Sequence, residues 1–271
     1  MKRLAIFGGL VALIILVTFA APVLDLADPV RQDVANRLAG PMAGSPLGRD
    51  EFGRDVLSRL IWGGRVSLTV AFSSALIACV IGVTMGLLGG YLRGVSEFLA
   101  VRSVDVILCF PPILLALLVV TLLGPGAATL ILVLSILYVP GFVRVTYAEV
   151  LSVRAQEYVE AVRALGIHPL NIVRRTILPN VAGPILVQLS LAVASAIVIE
   201  SGLSFLGLGV VPPDPSWGLM IRGARATMDQ APLLLLWPCV ALTVTILAMN
   251  LLCDALRDWV DPRSRGGLPP R

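Results

Sequence analysis

The stretch Arg144–Asn180, RVTYAEVLSVRAQEYVEAVRALGIHPLNIVRRTILPN, is the most informative part of the chain because it is rich in charge between two long uncharged runs. Eight of its side chains are charged, whereas none is charged in Val106–Val143 before it or in Thr176–Ile199, which begins within its last residues. Placing eight charges in a membrane would cost on the order of 20–28 kcal/mol, at roughly 2.5–3.5 kcal/mol each. The stretch therefore lies in water, and the flanking runs suit a bilayer.

Composition and charge spacing predict an all-α membrane protein that crosses the bilayer several times. Of the 271 residues, 57% are hydrophobic and 14% are charged, whereas a soluble domain is about half apolar and about a quarter charged. A transmembrane helix needs roughly 20 consecutive apolar residues. Five runs without charge reach that length: Leu4–Leu24, Val66–Leu92, Val106–Val143, Thr176–Ile199 and Gln230–Cys253.

The run Val106–Val143 predicts two crossings, which brings the expected number of transmembrane helices to six. As one helix it would be about 57 Å long at about 1.5 Å per residue, far more than the ~30 Å of hydrocarbon. Gly124-Pro125-Gly126 lies within it and favours a tight turn. Pro111-Pro112 should kink or break the third span, either for structural reasons or to line a pathway.

Both ends of the chain are predicted to lie in the cytoplasm. With Lys2 and Arg3 inside, thirteen of the 21 basic residues fall on cytoplasmic segments, where basic residues are enriched. The first run has two interpretations, a retained anchor or a signal peptide cleaved after Thr18-Phe19-Ala20. Its uncharged length exceeds the roughly 7–15 residues of a signal-peptide core, which favours the anchor.

The chain lacks residues that several kinds of catalytic site require. Lys2 is its only lysine, which excludes a phosphate-binding G-x-x-x-x-G-K-[ST] loop, and His168 is its only histidine, which excludes a site of several histidines. No G-x-S-x-G elbow is present either. We therefore expect a non-enzymatic chain with no catalytic residue, metal site or cofactor of its own.

The second run presents small residues at every fourth position, on one helix face, where they let another helix approach closely. These residues are Ser74, Ala78, Gly82, Gly86 and Gly90. The face is expected to pack against a helix of this chain or of a partner. Just before the run, the helical spacing of Val56, Leu57, Leu60 and Ile61 predicts a helix at the membrane interface. An ordered external loop is the alternative.

The charged stretch itself has the pattern of two short helices. Tyr158, Ala161, Val162 and Leu165 mark one apolar face of the first helix, and Gly166 is placed to end it. Pro169 suits the first turn of the second helix, which is expected to stop by Pro179. A compact pair of helices on a charged loop is a surface suited to docking.

At this loop the sequence resembles the permease subunits of ATP-binding-cassette importers. Their motif E-A-A-x-x-x-G, followed after nine residues by I-x-L-P, appears here as Glu160–Gly166, EAVRALG, and Thr176–Pro179, TILP. Val162 replaces the second alanine and Thr176 replaces the isoleucine. Three further segments resemble the C-type subunit of dipeptide and oligopeptide permeases. They are Pro46–Arg59, Glu200–Gly209 with Pro215–Gly218, and Asn250–Arg263.

The resemblance implies a type I importer permease fold in a bacterial inner membrane, and it implies several partners. These are a second homologous permease, two ATP-binding-cassette ATPase subunits or domains that hold ATP and magnesium, an external substrate-binding protein, and lipid. The implied substrate is a short peptide, with nickel, glutathione or haem as alternatives. No nucleic acid is expected. A secondary transporter that works alone and a non-transporting scaffold or sensor are less favoured functions.

The resemblance also implies the roles of two sets of residues. Glu157–Gly166 would be a coupling helix seated on one ATPase, with Glu160 and Arg163 pairing with each other or with charges on the ATPase. The docking residues would be Glu157, Tyr158, Glu160, Ala161, Arg163, Ala164, Leu165, Gly166, Leu178 and Pro179. An external gate, or otherwise an ordinary re-entrant or surface loop, would contain Glu200, Ser204, Phe205, Gly207 and Trp217. No substrate-binding residue is assigned.

These expectations divide the chain into three parts. Residues 1–65 would hold the first helix, the external segment and the interfacial helix. Residues 66–263 would form a five-helix permease core that includes the coupling loop 144–180. Residues 264–271 would be a disordered tail.

Overall fold

The computed structural model describes residues 2–92 and 94–260, and this part of the chain is built from helices and their connections. The helices are α1 (Lys2–Phe19), α2 (Val56–Leu92), α3 (Val95–Leu108), α4 (Pro112–Leu123), α5 (Ala127–Arg154), α6 (Glu157–Ala164), α7 (Pro169–Ile172), α8 (Leu178–Leu206), α9 (Trp217–Arg225) and α10 (Leu233–Val260). A 3₁₀ turn covers Val34–Asn36, and a π-helical segment, Val173–Ile177, joins α7 to α8. The predicted all-α membrane class is confirmed.

Four helical stretches among the described residues are long and apolar enough to cross a membrane: Val56–Leu92, Ala127–Arg154, Pro169–Leu206 and Leu233–Val260. The pair α3 and α4 adds a fifth if it counts as one span, and its two helices meet at 86°. The remaining apolar helix, α1, is shorter. Six spans therefore stay a prediction.

Both breaks that glycine and proline predicted are present. The chain turns at Gly124 and Gly126, whose φ angles of 86° and 153° are open to glycine and costly for other residues. The bend between α3 and α4 falls at Pro111 and Pro112, since Pro112 supplies the first residue of α4 and has no N–H to continue α3.

Several helices extend beyond the limits that charge suggested. The predicted interfacial helix is the first part of α2, which runs unbroken through Arg65. Helix α5 continues past Val143 to Arg154. The second short helix of the loop does not stop at Pro179, because the π-helical segment carries it into α8. A charged residue ends the part of a helix that suits lipid, whereas the backbone hydrogen bonds can continue into water.

The small-residue face of α2 packs against α5 of the same chain, and all five of its residues are buried. A Cβ on Gly82 would lie 2.5 Å from the Cβ of Phe142, and one on Gly86 would lie 2.7 Å from the Cβ of Thr146. Nothing larger than hydrogen therefore fits at these two positions. This contact forms the centre of the core, and α8 and α10 pack beside it.

Polar contacts join side chains of α3 to one another and to α5. Asp105 lies 3.6 Å from Arg102 and 3.7 Å from Arg144, and the Tyr147 hydroxyl donates to Glu97.

The predicted disordered tail, 264–271, lies outside the described residues, as do Asp261 and Arg263. Whether the chain divides functionally at residue 65 stays a prediction.

Candidate coupling loop and gate

The two sets of predicted functional residues lie at opposite ends of α2. Tyr91, in its last turn, packs in one apolar cluster with Val159 of α6, and we call this the loop end. Near its other end, Ser67 accepts a hydrogen bond from the backbone N–H of Trp217 at the start of α9. We call that the gate end. The two sites are therefore joined by a single helix.

One buried residue attaches α6 to the bundle. Val159 is fully buried and packs with Tyr91, Val150, Ile172 and Ile177. Gly166 ends the helical turn with a φ of +72°, and a Cβ added there would meet nothing within 4 Å. The conformation of Gly166, not crowding, therefore explains the need for glycine there.

The predicted apolar face of α6 points away from the protein for most of its length. Leu165 is 77% exposed and Tyr158 is 45% exposed, Ala161 is exposed too, and Val162 alone of the four is half-buried. An exposed group of apolar side chains on a charged helix is typical of a surface that another protein covers.

The predicted docking residues do not all lie together. Leu178 and Pro179 belong to the first turn of α8, where Leu178 is half-buried and Pro179 is exposed. The others lie on α6 or just after it and are exposed: Glu157, Tyr158, Glu160, Ala161, Arg163, Ala164, Leu165 and Gly166. Among the residues of the described chain, no ion pair joins Glu160 to Arg163.

The loop end is completed by two residues that the sequence did not single out, Arg154 and Tyr91. Arg154, the last residue of α5, donates through Nη1 to the backbone oxygens of Gly90 and Tyr91, at 3.0 and 3.3 Å. These carbonyls belong to the last turn of α2, where helix carbonyls lack intrahelical partners and carry partial negative charge. The guanidinium of Arg163 lies 5.6 Å from the centre of the Tyr91 ring. No pattern within 144–180 reveals these contacts, because their partners lie in α2.

At the gate end, a fully buried carboxylate is surrounded by serine hydroxyls. Glu200 Oε1 accepts from Ser204 at 2.7 Å and Oε2 accepts from Ser201 at 3.2 Å. Ser67 and Ser216 also hydrogen-bond to this carboxylate. Glu200 lies within α8, which runs to Leu206, so the sequence placed the end of this span too early.

Three of these hydroxyls also accept a hydrogen bond from a backbone N–H group. Ser204 accepts from Val210, Ser67 from Trp217, and Ser216 from Leu219. A hydroxyl has one proton to donate, and Glu200 receives it. Glu200 therefore orients the groups that hold the turn after α8 and the start of α9.

Three of the five predicted gate residues are buried together, and the other two lie at the end of α8. Glu200, Ser204 and Trp217 are buried together, and the Trp217 indole donates to the backbone oxygen of Leu60 on α2 at 2.9 Å. Gly207 ends α8 in the left-handed conformation, with the Leu208 N–H returning to the oxygen of Leu203. Phe205 is half-buried and lies 5.9 Å from the guanidinium of Arg225.

An ordered polar segment covers the gate end. Buried Arg59 lies 3.3 Å from Asp50 and donates to the oxygen of Pro29, and Arg54 lies 2.7 Å from the same aspartate. The pKa of Asp33 lies below its usual value, because the Asn36 amide donates to its carboxylate and the positive charge of Arg49 also stabilises the ionised form. Charge pairing thus holds the segment 28–55 together, and Arg59 joins this segment to α2.

Comparison with known proteins gives the family. Residues 78–266 match the model of the binding-protein-dependent transport system inner membrane component. The chain is 37% identical to a dipeptide transport system permease protein, DppC, of Alkalihalophilus pseudofirmus, over 97% of this chain and 87% of the relative. It is 38% identical to a di/tripeptide permease protein of Pseudomonas aeruginosa, over 94% of this chain and 87% of the relative. A glutathione permease protein, GsiD, of Pectobacterium atrosepticum is also 38% identical, over 97% and 88%.

A solved structure supports the fold. A chain of the MetNI methionine ABC transporter, in an inward-facing conformation, superposes with a TM-score of 0.61 at 18% identity, covering 75% of this chain and 96% of that one. The predicted type I importer permease fold is thereby confirmed. The protein belongs to the inner membrane components of binding-protein-dependent, ATP-driven transport systems.

Proposed function

We propose that the chain forms half of the pathway of an ATP-driven importer of short peptides and performs no catalysis itself. The observation that carries this proposal is the exposed apolar and charged surface of α6, a short helix anchored at Val159. Such a helix can transmit a rigid-body shift from a partner that hydrolyses ATP. The similarity to dipeptide and di/tripeptide permeases along nearly the whole chain supports the substrate class.

The proposed assembly contains a second homologous permease, two ATPase subunits or domains with ATP and magnesium, and an external substrate-binding protein. The loop end faces the cytoplasm, so that α6 meets an ATPase, and both termini lie on the same side. The gate end faces the binding protein. Glutathione, itself a tripeptide, is the second candidate substrate, because a glutathione permease is equally similar to this chain.

The test is uptake by the reconstituted complex with ATP inside the vesicles. Free dipeptides and tripeptides should enter when ATP, the binding protein and this chain are all present, and glutathione added in excess shows whether it shares the route. Uptake that persists without the ATPases, driven by an ion gradient, would favour a secondary transporter and contradict the proposal.

A matched pair of variants tests the coupling helix. Gly166→Val should reduce uptake per ATP hydrolysed, because a β-branched residue at φ +72° costs on the order of 1–3 kcal/mol and displaces the end of α6. Gly166→Asn should retain most activity, since asparagine tolerates this conformation. Equal uptake by the two variants and the unchanged protein would argue against coupling through α6.

A further inference from the structure

We infer that α2 mechanically links the coupling helix to the gate, and that Arg154 and Tyr91 are the positioning residues that attach α6 to it. The inference rests on the proposed function and adds the route by which movement at the loop end reaches the gate end. It depends on contacts at both ends of α2 and on the continuity of the helix between them.

The loop end is attached by three kinds of contact. Arg154 binds the last carbonyls of α2, and Arg163 of α6 lies over the Tyr91 ring. Val159 packs in the same apolar cluster as Leu87 and Tyr91. Because α6 begins three residues after Arg154, displacing α6 from α2 breaks the cation–π contact and the apolar contact and strains the hydrogen bonds of Arg154.

The gate end is attached equally closely. Trp217 donates to Leu60 and Ser67 of α2 through its indole and backbone N–H groups. A Cβ on Gly64 would lie 2.7 Å from the Trp217 ring, and one on Gly63 would lie 3.3 Å from the backbone of Ser216. Helix α9 therefore begins directly on the surface of α2.

Helix α2 can carry a displacement between these ends because it is continuous and supported. Its 37 residues span about 55 Å and include no proline, whereas α5, α8 and α10 contain Pro140, Pro184 and Pro238. Proline interrupts the hydrogen-bond ladder and is where helices bend. The contact of Gly82, Gly86 and Gly90 with α5 supports α2 along its second half.

The first test measures rigidity. In the assembled complex, with the four native cysteines replaced by alanine, spin labels are placed at Thr69→Cys on α2 and Gln156→Cys beside α6, both at exposed positions. Pulsed electron paramagnetic resonance should give the same distance without nucleotide and with trapped ATP. As a positive control, the distance between a label at Thr69→Cys and a label on the second permease should change between the two states, which shows that the complex has moved. A change of several ångströms in the Thr69–Gln156 pair would overturn the inference.

The second test separates coupling from assembly. The double variant Arg154→Gln, Tyr91→Leu should lower uptake per ATP hydrolysed by about fivefold or more, the lower end of ordinary coupling between sites, with hydrolysis retained. Tyr91→Phe keeps the ring under Arg163 and should behave like the unchanged protein. Wild-type uptake per ATP in the double variant would overturn the inference. If that variant does not assemble, the distance measurement decides alone. A complex without variants that imports no peptide would instead refute the proposed function.

Discussion

At the scale of single residues, Glu200 organises the serine hydrogen bonds of the gate end. Three serine hydroxyls that donate to its carboxylate each accept from a backbone N–H at a different point of the turn and of α9. The sequence revealed Glu200 and Ser204 through their likeness to a permease segment. It did not reveal Ser67, because that residue lies far away in the chain and only packing of α2 against α8 brings it near.

Replacing Glu200 with leucine should lower the thermal unfolding midpoint of the purified protein. Leucine leaves the buried hydroxyls without their acceptor, and each unsatisfied group costs about 1–3 kcal/mol. Glu200→Gln keeps the shape and one acceptor oxygen, so its midpoint should fall between those of the leucine variant and the unchanged protein. An unchanged midpoint for the leucine variant would show that the serine cluster contributes little to stability.

At the scale of helices, α2 and α5 depend on residues that intrinsic helix preference disfavours. Glycine weakens a helix by about 1 kcal/mol relative to alanine, yet α2 has glycine at 82, 86 and 90. The close approach to α5 explains this choice. Regular spacing made the face predictable, whereas its partner could not be identified until the topology placed α5 beside it.

Gly82→Ala and Gly86→Ala should each destabilise the protein by about 1–3 kcal/mol, because the added methyl group meets Phe142 or Thr146 at a distance that real contacts do not reach. The control is Gly202→Ala in α8, where nothing lies within 4 Å. That change should be neutral or stabilising. Thermal unfolding in one detergent compares the three, and equal midpoints for all of them would contradict the packing described for α2.

The helix ends show where sequence reasoning reached its limit. Hydropathy identified the apolar runs, and glycine and proline located the turn at 124–126 and the break at 111–112. Charge alone misplaced the ends of α2, α5 and α8, because a helix can leave the bilayer and continue in water. The exposed side of α6 was likewise not predictable, since Val159 becomes buried only when α2, α5 and the π-helical segment meet around it.

At the scale of the whole molecule, the two ends of the bundle are predicted to face opposite sides of the membrane. Asn171→Cys at the loop end should react with a membrane-impermeant maleimide only after the cytoplasmic side is opened. Asp214→Cys at the gate end should react from outside in intact cells; both positions are exposed. The native cysteines are first replaced, since Cys109 is also exposed. Reaction of Asn171→Cys from outside would invert the orientation and remove α6 from contact with a cytoplasmic ATPase.

The bend between α3 and α4 has a consequence for the surrounding lipid. With 14 and 12 residues, the two helices are about 21 and 18 Å long, and at 86° their lengths do not add in one direction. Neither helix matches the ~30 Å of hydrocarbon, so acyl chains beside them must shorten, or something other than lipid must fill the remaining depth. Main-chain groups at the bend tolerate only protein or water as neighbours. A hydrophilic solute beside this bend therefore has less than the full ~30 Å of hydrocarbon to cross.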